Sequence, residues 1–339
     1  MMLESIALDP LRRRWARRVG TVLLGLAVWT AAVPSMGRDA AEPPRDIQGW
    51  IARLHEATRN RAYSGTYVVT RGSEIASARI AHVCDGRQQI ERIEALSGPA
   101  RVTWRRDDEV MTLMPERQWA VRDRRELLRL FPGPLKVPGI DVADFYRAEL
   151  RGSERLAGFD AWVVEFLPKD ALRYGYRIWS EKRTGLALKL QTLDGSAQVL
   201  EQVAFTELQI DAPLRLDVLA RQMEDTRGYH IERPTLRKTT LEAEGWRLRA
   251  EVPGFRPVTC WQRVEESNRP RSPLQCVFSD GLASVSLFFP AGDGTSVNQV
   301  RAGATHVLSQ RVAGQLVVAL GEVPPQTLER FLIVLERSR

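Results

Sequence analysis

The sequence predicts a mainly β protein with an α+β part: a large antiparallel sheet, curled into a barrel or half-barrel under a helix, followed by a smaller domain. Three observations predict this fold. Apolar and polar residues alternate with period two in about ten short runs between residues 63 and 210. Most turns between these runs are too short for parallel crossovers, so the strands should form an antiparallel meander. Strand patterns resume at Trp246 and end in one amphipathic helix.

The amino terminus predicts a signal peptide over residues 1–37. The cationic stretch "LRRRWARRVG" leads into the uncharged run "VGTVLLGLAVWTAAV", which is about fifteen residues long and therefore short for a bilayer span of roughly twenty. Cleavage is expected after Ala32 or Gly37. An uncleaved membrane anchor is the alternative. With the signal peptide removed, the mature protein is expected to be free in an extracytoplasmic space.

Residues 45–212 are predicted to form the large β domain. It begins with a helix over 46–57, which Asp46 caps and whose apolar residues recur at helical spacing. The predicted strands that follow are 66–71, 75–83, 89–96, 101–105, 110–114, 146–152, 161–167, 174–180, 186–193 and 199–210. Residues 115–145, between the two series, show no strand period, and a connection of that length favours a lid or a binding loop.

The segment "RYGYRIWSEKRTGLALKLQTLDG", residues 173–195, predicts two strands that pair across the polar turn 182–185. Alternation places six apolar side chains on one face of this hairpin: Tyr174, Tyr176, Ile178, Leu186, Leu188 and Leu190. These six are the candidate wall of an apolar cavity that holds an acyl chain, because one helix covers only a portion of a ten-stranded sheet. The alternative is that they belong to the protein's own core.

The opposite face of the same hairpin is the candidate surface for a protein partner. Arg177, Trp179 and Lys189 lie there, and an exposed tryptophan beside cations is typical of a contact surface. Burial of Trp179 under the long loop is the alternative.

A linker over 213–245 and a smaller α+β domain over 246–339 are predicted next. Asp280 and Gly281 supply a tight turn between "LQCVFS" and "LASVSLFF", which predicts a hairpin. Pro324 and Pro325 precede the terminal helix. Its apolar residues Leu328, Leu332 and Leu335 are expected to point inward.

Cysteine usage fits an oxidising compartment. Cys260 and Cys276 lie sixteen positions apart on two predicted strands, and a disulfide between them would stabilise the fold by about 3 kcal/mol in the chain-entropy model. Both cysteines unpaired is the alternative. Cys84 is then single and is interpreted as a small packed hydrophobe.

Charge and motifs favour a binding protein over an enzyme or a nucleic-acid binder. The net charge of +7 falls to +4 once residues 1–37, with five arginines and two acids, are set aside. Basic and acidic residues are interleaved, so no nucleic acid is expected. The four histidines fall in no metal-ligand pattern, and no nucleophile or phosphate-loop motif occurs. We therefore expect no metal, no cofactor and no enzymatic activity; a hydrolase with scattered residues is the alternative.

Several segments resemble the RseB/MucB family of periplasmic sigma-E regulators. They are "YSGTYVVTRG" (63–72), the 173–195 hairpin, "LEQVAFTELQI" (200–210), "FSDGLASVSLFF" (278–289) and "LGEVPPQTLERF" (320–331). They occur in order and span nearly the whole chain after residue 37. The weakest fit is residues 115–145.

The resemblance implies a larger domain similar to the lipoprotein carriers LolA and LolB, a half-open barrel around an apolar cavity. It also implies a periplasmic negative regulator that binds the periplasmic segment of an anti-sigma factor, RseA or MucA, and shields it from the site-1 protease. Lipopolysaccharide or lipoprotein acyl chains would relieve that shielding. A homo-oligomer is possible in this interpretation. The alternative is a soluble periplasmic lipid or lipoprotein carrier, which would lack the second domain.

Overall fold

The computed structural model describes residues 42–107, 109–124, 140–264, 273–292 and 300–338. The predicted signal peptide, 1–37, lies outside the described residues, and so does the middle part of the predicted loop 115–145, namely 125–139. Within the described ranges, no helix has both the length and the apolar character that a bilayer span requires.

Two α-helices and twelve strands are the main elements of the first part of the described chain, which we call the larger lobe (residues 42–232). They are α1 Ile47–Asn60, β1 Tyr63–Arg71, β2 Glu74–Cys84, β3 Gln89–Ala95, β4 Val102–Arg106, β5 Glu109–Met114, β6 Trp119–Arg124, β7 Tyr146–Leu156, β8 Phe159–Pro168, β9 Gly175–Glu181, β10 Ala187–Leu193, β11 Val199–Ile210, α2 Leu216–Glu224 and β12 His230–Glu232.

All twelve strands belong to one sheet, in the order β12-β6-β5-β4-β3-β2-β1-β11-β10-β9-β8-β7. Two antiparallel meanders, β1 to β6 and β7 to β11, meet where β11 pairs with β1. Only the terminal pair, β12 with β6, is parallel. The prediction of a mainly β fold with a large antiparallel sheet is confirmed. The sheet does not close, because β12 and β7 remain at its two edges.

The first helix packs on one face of this sheet. Asp46 caps α1, as predicted: its Oδ1 accepts a hydrogen bond of 2.7 Å from the Gly49 backbone N–H. Ile47, Trp50 and Leu54 are buried against the sheet at the spacing the sequence shows.

Among its described residues, the smaller lobe (residues 235–338) has nine strands and one helix. They are β13 Thr235–Thr239, β14 Trp246–Leu248, β15 Arg256–Val264, β16 Leu274–Ser279, β17 Ser284–Phe289, β18 Val300–Ala302, β19 Thr305–Val312, β20 Gln315–Gly321, α3 Pro325–Val334 and β21 Leu335–Arg337. Seven strands form a sheet in the order β13-β15-β16-β17-β20-β19-β18, and β14 pairs with β21. The α+β prediction for this part is confirmed.

The core of the smaller lobe lies between its seven-stranded sheet and α3. Leu328 and Leu332 are buried on the inner side of α3, as predicted. Leu335 is also buried, but it begins β21 and is not part of the helix, so the predicted helix was too long. Cys260 and Cys276 are directly opposite each other on β15 and β16, and the structure joins them in a disulfide.

The stretch predicted as a linker, 213–245, carries three regular elements. It contains α2, β12 and β13, and it passes from the edge of the larger sheet to the edge of the smaller one between Glu232 and Thr235. The predicted domain boundaries 45–212 and 246–339 remain a prediction.

Candidate functional site

The face that carries the predicted cavity wall is packed against α1. Tyr176, Ile178 and Leu190 contact the cluster that Trp50 and Leu54 form on the helix. Leu186 is buried in the adjoining cluster with Ala57, at the end of the same helix. These four candidates therefore share one face, and the protein's own helix covers it.

Leu188 does not lie on that face, so the prediction that the six residues share a face is wrong at this position. The β10 strand has a bulge: Ala187 pairs with Ser180 and Lys189 pairs with Trp179, which leaves Leu188 as an extra residue. One extra residue reverses the alternation, and Leu188 packs on the opposite face with Ala161, Val163 and Trp179. Its side chain is 0% exposed.

Tyr174 also leaves the predicted wall. It precedes β9 and packs with Leu200 of the larger lobe and Ala304 of the smaller lobe. Its place is thus the junction between the lobes.

Trp179 faces away from α1, as predicted, but it is only 4% exposed. Its indole Nε1 donates a hydrogen bond of 2.7 Å to Glu154, and the Lys189 ammonium lies 4.2 Å from the ring centroid. Arg177 is half-buried and forms an ion pair of 2.6 Å with Glu165. The expected exposed tryptophan is therefore absent from this face, and a partner-binding role for Arg177 and Trp179 stays a prediction.

An open groove lies elsewhere, between α2 and the opposite face of the sheet. Its volume is about 610 Å³, within the usual range for ligand sites. Most of its lining is apolar: Ala81, Val102, Trp104, Leu113, Pro213, Leu214, Val218 and Leu219. Three polar residues complete it, and Arg92 lies over Trp104, with 5.6 Å from its guanidinium carbon to the ring centroid. Sequence reasoning missed this groove, because the partner helix of the sheet comes a hundred residues later in the chain.

Two arginines and two glutamates fix the carboxyl end of α2 beside this groove. Arg106 and Arg122, on β4 and β6, each approach Glu224 of α2 to 2.9 Å. Glu109 pairs with the same two arginines at 3.1 and 3.0 Å. The hydrogen bond from Arg122, with a further one from Arg106, lowers the pKa of Glu224.

Glu224→Gln is expected to reduce stability at neutral pH by about 0.5–1 kcal/mol, since the side chain is half exposed and solvent screens the pairs. A depressed carboxylate pKa stabilises the fold above the unfolded value and loses that contribution as the pH falls through the folded pKa. The difference between variant and wild type should therefore shrink towards pH 3. Urea unfolding at pH 7 and pH 3 measures this difference in stability, with Glu56→Gln of α1 as the exposed control. An equal difference at both pH values would contradict this account.

The lobes meet at a buried polar junction centred on Arg173. Its Nη1 lies 2.9 Å from Oδ2 of Asp280, and both side chains are 0% exposed. Asp280 sits in the turn between β16 and β17, where its Oδ1 accepts hydrogen bonds from the Leu282 and Ala283 backbone N–H groups. The hydroxyl of Tyr146 donates to the same Oδ2 over 3.1 Å. Burial raises the pKa of the Asp280 carboxyl, and the charge of Arg173 offsets this only in part.

Among the residues that the structure describes, the histidines and acids form no metal centre. No group of three or more metal-ligating side chains is close enough to hold an ion within the described ranges. His82 is buried against the ring of Tyr63, at 4.8 Å between centroids, and its Nδ1 lies 3.7 Å from Glu91. Burial lowers the pKa of His306, which packs near Tyr174 at the junction.

Comparisons with known proteins agree with this architecture. Two family models match the chain: the MucB/RseB N-terminal domain over residues 46–224 and the MucB/RseB C-terminal domain over residues 240–336. The sigma factor AlgU regulatory protein MucB of Pseudomonas aeruginosa is 29% identical over 296 residues, which cover 85% of this chain and 90% of that protein. The sigma-E factor regulatory protein RseB of Haemophilus influenzae is 23% identical over 287 residues, 83% of this chain and 88% of that protein.

A solved structure extends the likeness to three dimensions. The complex of Pseudomonas aeruginosa MucA and MucB matches 86% of this chain and 98% of the solved one, with 26% identity and a TM-score of 0.66. Fold and matches together define the class: a regulatory binding protein with a large open β lobe and a smaller α+β lobe. The chain belongs to the MucB/RseB family, which confirms the resemblance seen in the sequence.

Proposed function

We propose that this protein is a periplasmic negative regulator of sigma-E-type signalling. It binds the periplasmic part of a membrane anti-sigma factor, shields that segment from site-1 proteolysis, and releases it when an acylated ligand such as lipopolysaccharide binds. The observation that carries the proposal is that both family domains match in order, over 46–224 and 240–336, and that a relative of this arrangement has been solved with MucA.

The groove under α2 is the proposed place for the acyl chain. The face under α1 offers less room, because Trp50 and its neighbours fill it. The groove has an apolar wall, about 610 Å³ of space, and Arg92 and Arg215 among its lining residues. Each arginine already pairs with a neighbouring carboxylate, Glu94 and Asp217. An anionic headgroup would therefore exchange partners with them, and the apolar wall would supply most of the affinity.

Release requires that the ligand bind the free regulator more tightly than the complex. The test is a titration of the mature chain with the fluorescent periplasmic fragment of an anti-sigma factor, repeated in the presence of lipopolysaccharide. We expect binding, protection of the fragment from the site-1 protease, and loss of both as lipopolysaccharide is added. No binding, with transfer of lipid between vesicles instead, would favour the carrier function.

The variant Val218→Phe tests whether the acyl chain binds in the groove under α2. Val218 lines the groove from α2, so a larger ring there should raise the lipopolysaccharide concentration needed for release about tenfold and leave the affinity for the fragment unchanged. Arg221→Phe, on the exposed side of the same helix, is the matched control. If both variants respond like the wild type, the acyl chain does not bind in this groove.

A further inference from the structure

Every nitrogen of the Arg173 guanidinium group donates a hydrogen bond, and two of the three bonds cross to the smaller lobe. Nε donates to Asp170 Oδ1 over 2.9 Å, within the larger lobe. Nη1 donates to Asp280 over 2.9 Å, and Nη2 donates to the backbone oxygen of Pro253 over 2.8 Å, both in the smaller lobe. The acceptors are thus divided between the lobes, and separation of the lobes would break two of the three contacts.

The smaller lobe has a site shaped for this guanidinium. Gly254 has φ of +82°, and a Cβ at this position would lie 2.9 Å from Nη1, from Nη2 and from the Phe145 ring. No larger residue fits there while Arg173 stays in place. Phe145 of the larger lobe and Phe255 of the smaller lobe stack on the cation, at 4.5 and 5.4 Å from their centroids.

Other described contacts also cross between the lobes: Tyr146 donates to Asp280, and Arg263 of the smaller lobe pairs with Glu232 of the larger lobe. Thr327 and Gln326, at the start of α3, donate to the backbone oxygens of Leu172 and Ala171 over 2.7 Å each. The apolar part includes Leu282, which packs on the cluster around Trp50, and Ala304 beside Tyr174.

A buried ion pair of this kind has only two low-energy states. Closed, each charge loses its hydration but gains its partner; open, both charges are hydrated, so the two states can lie close in free energy. A closed junction that buries one of the two charges without its partner is unfavourable in free energy. Such a pair would favour one orientation of the lobes while adding little net stability.

We propose that the Arg173–Asp280 pair is a latch, which selects a single closed arrangement of the two lobes, and that the anti-sigma segment binds this closed arrangement. The second half rests on the proposed function; the first half does not. When the latch is broken, the apparent affinity for the segment falls in proportion to the fraction of molecules that remain closed.

The test measures lobe separation directly. Spin labels at Arg59→Cys of α1 and Ile333→Cys of α3, both exposed and on different lobes, report the interlobe distance in a chain with Cys84→Ser. We expect one narrow distance distribution for this chain. Arg173→Met, which leaves Asp280 buried without its partner, should leave about a tenth of the molecules or fewer at the parent distance and so weaken fragment binding about tenfold or more.

Three further variants separate a latch from a general loss of stability. The double variant Asp280→Asn with Arg173→Met removes both charges. Its interlobe distances and its fragment affinity should therefore be closer to those of the parent chain than the values of Arg173→Met alone. Gly254→Ala keeps both charges but displaces the guanidinium, and should open the lobes as well. Arg247→Met breaks an exposed ion pair with Glu336 within the smaller lobe. It should leave both the interlobe distances and the fragment affinity unchanged.

An unchanged distance distribution in both Arg173→Met and Gly254→Ala overturns the latch. Opened lobes with undiminished fragment affinity overturn its coupling to the partner. If the parent chain itself binds no fragment, the proposed function fails, and the distances alone still decide whether the latch exists.

Discussion

Leu188→Asp is expected to abolish cooperative folding of the larger lobe. The side chain is 0% exposed and packs with Ala161, Val163 and Trp179 on the face away from α1. A carboxylate there has no basic partner among the residues of that cluster, and an uncompensated buried charge costs about 3–5 kcal/mol. Since a domain is typically stable by about 5–15 kcal/mol, this one change removes a large part of the total.

Urea unfolding followed by circular dichroism at pH 7 measures the effect. Ile75→Asp is the matched control, because Ile75 is also an apolar strand residue but is 71% exposed. The control should keep its unfolding midpoint, whereas Leu188→Asp should lose its transition or shift it strongly. A Leu188→Asp protein as stable as the wild type would mean that water reaches this position, which would restore it as a candidate cavity residue.

The sequence predicted most of the strands because a half-buried sheet imposes alternation on each of them. The strands it missed are β6, β12, β13, β18 and β21. Four of these five have only three to five residues, too few for a period of two to stand out. β12 and β13 are also held by pairing with distant strands, and no local pattern contains that information.

The bulge in β10 shows a second limit of alternation. A run of leucines at 186, 188 and 190 predicts one face, and only the cross-strand register shows that Leu188 is an extra residue. The reversal is determined by how β10 pairs with the neighbouring strand and cannot be seen in the sequence of β10 alone.

The junction was beyond sequence reasoning for a different reason. Asp280 was correctly identified as a turn residue, and its Oδ1 indeed caps the turn. Its second oxygen binds Arg173, which is 107 positions away in the chain. Nothing in the sequence around a turn aspartate or an isolated arginine indicates that the two residues pair, so only a structure shows the contact.

Trp50→Ala is expected to destabilise the larger lobe by about 3–5 kcal/mol, the usual cost of removing a large aromatic side chain from a core. Trp50 is 1% exposed and joins α1 to Tyr176 and Ile178 of the sheet. The same cluster receives Leu282 from the turn that holds Asp280, so the cavity left by the indole should also loosen the junction. Thermal unfolding measures the first effect, with Glu56→Ala on the exposed side of α1 as the control. A loss under about 1 kcal/mol would mean that the face under α1 is loosely filled, and the acyl chain would then have a second possible site there.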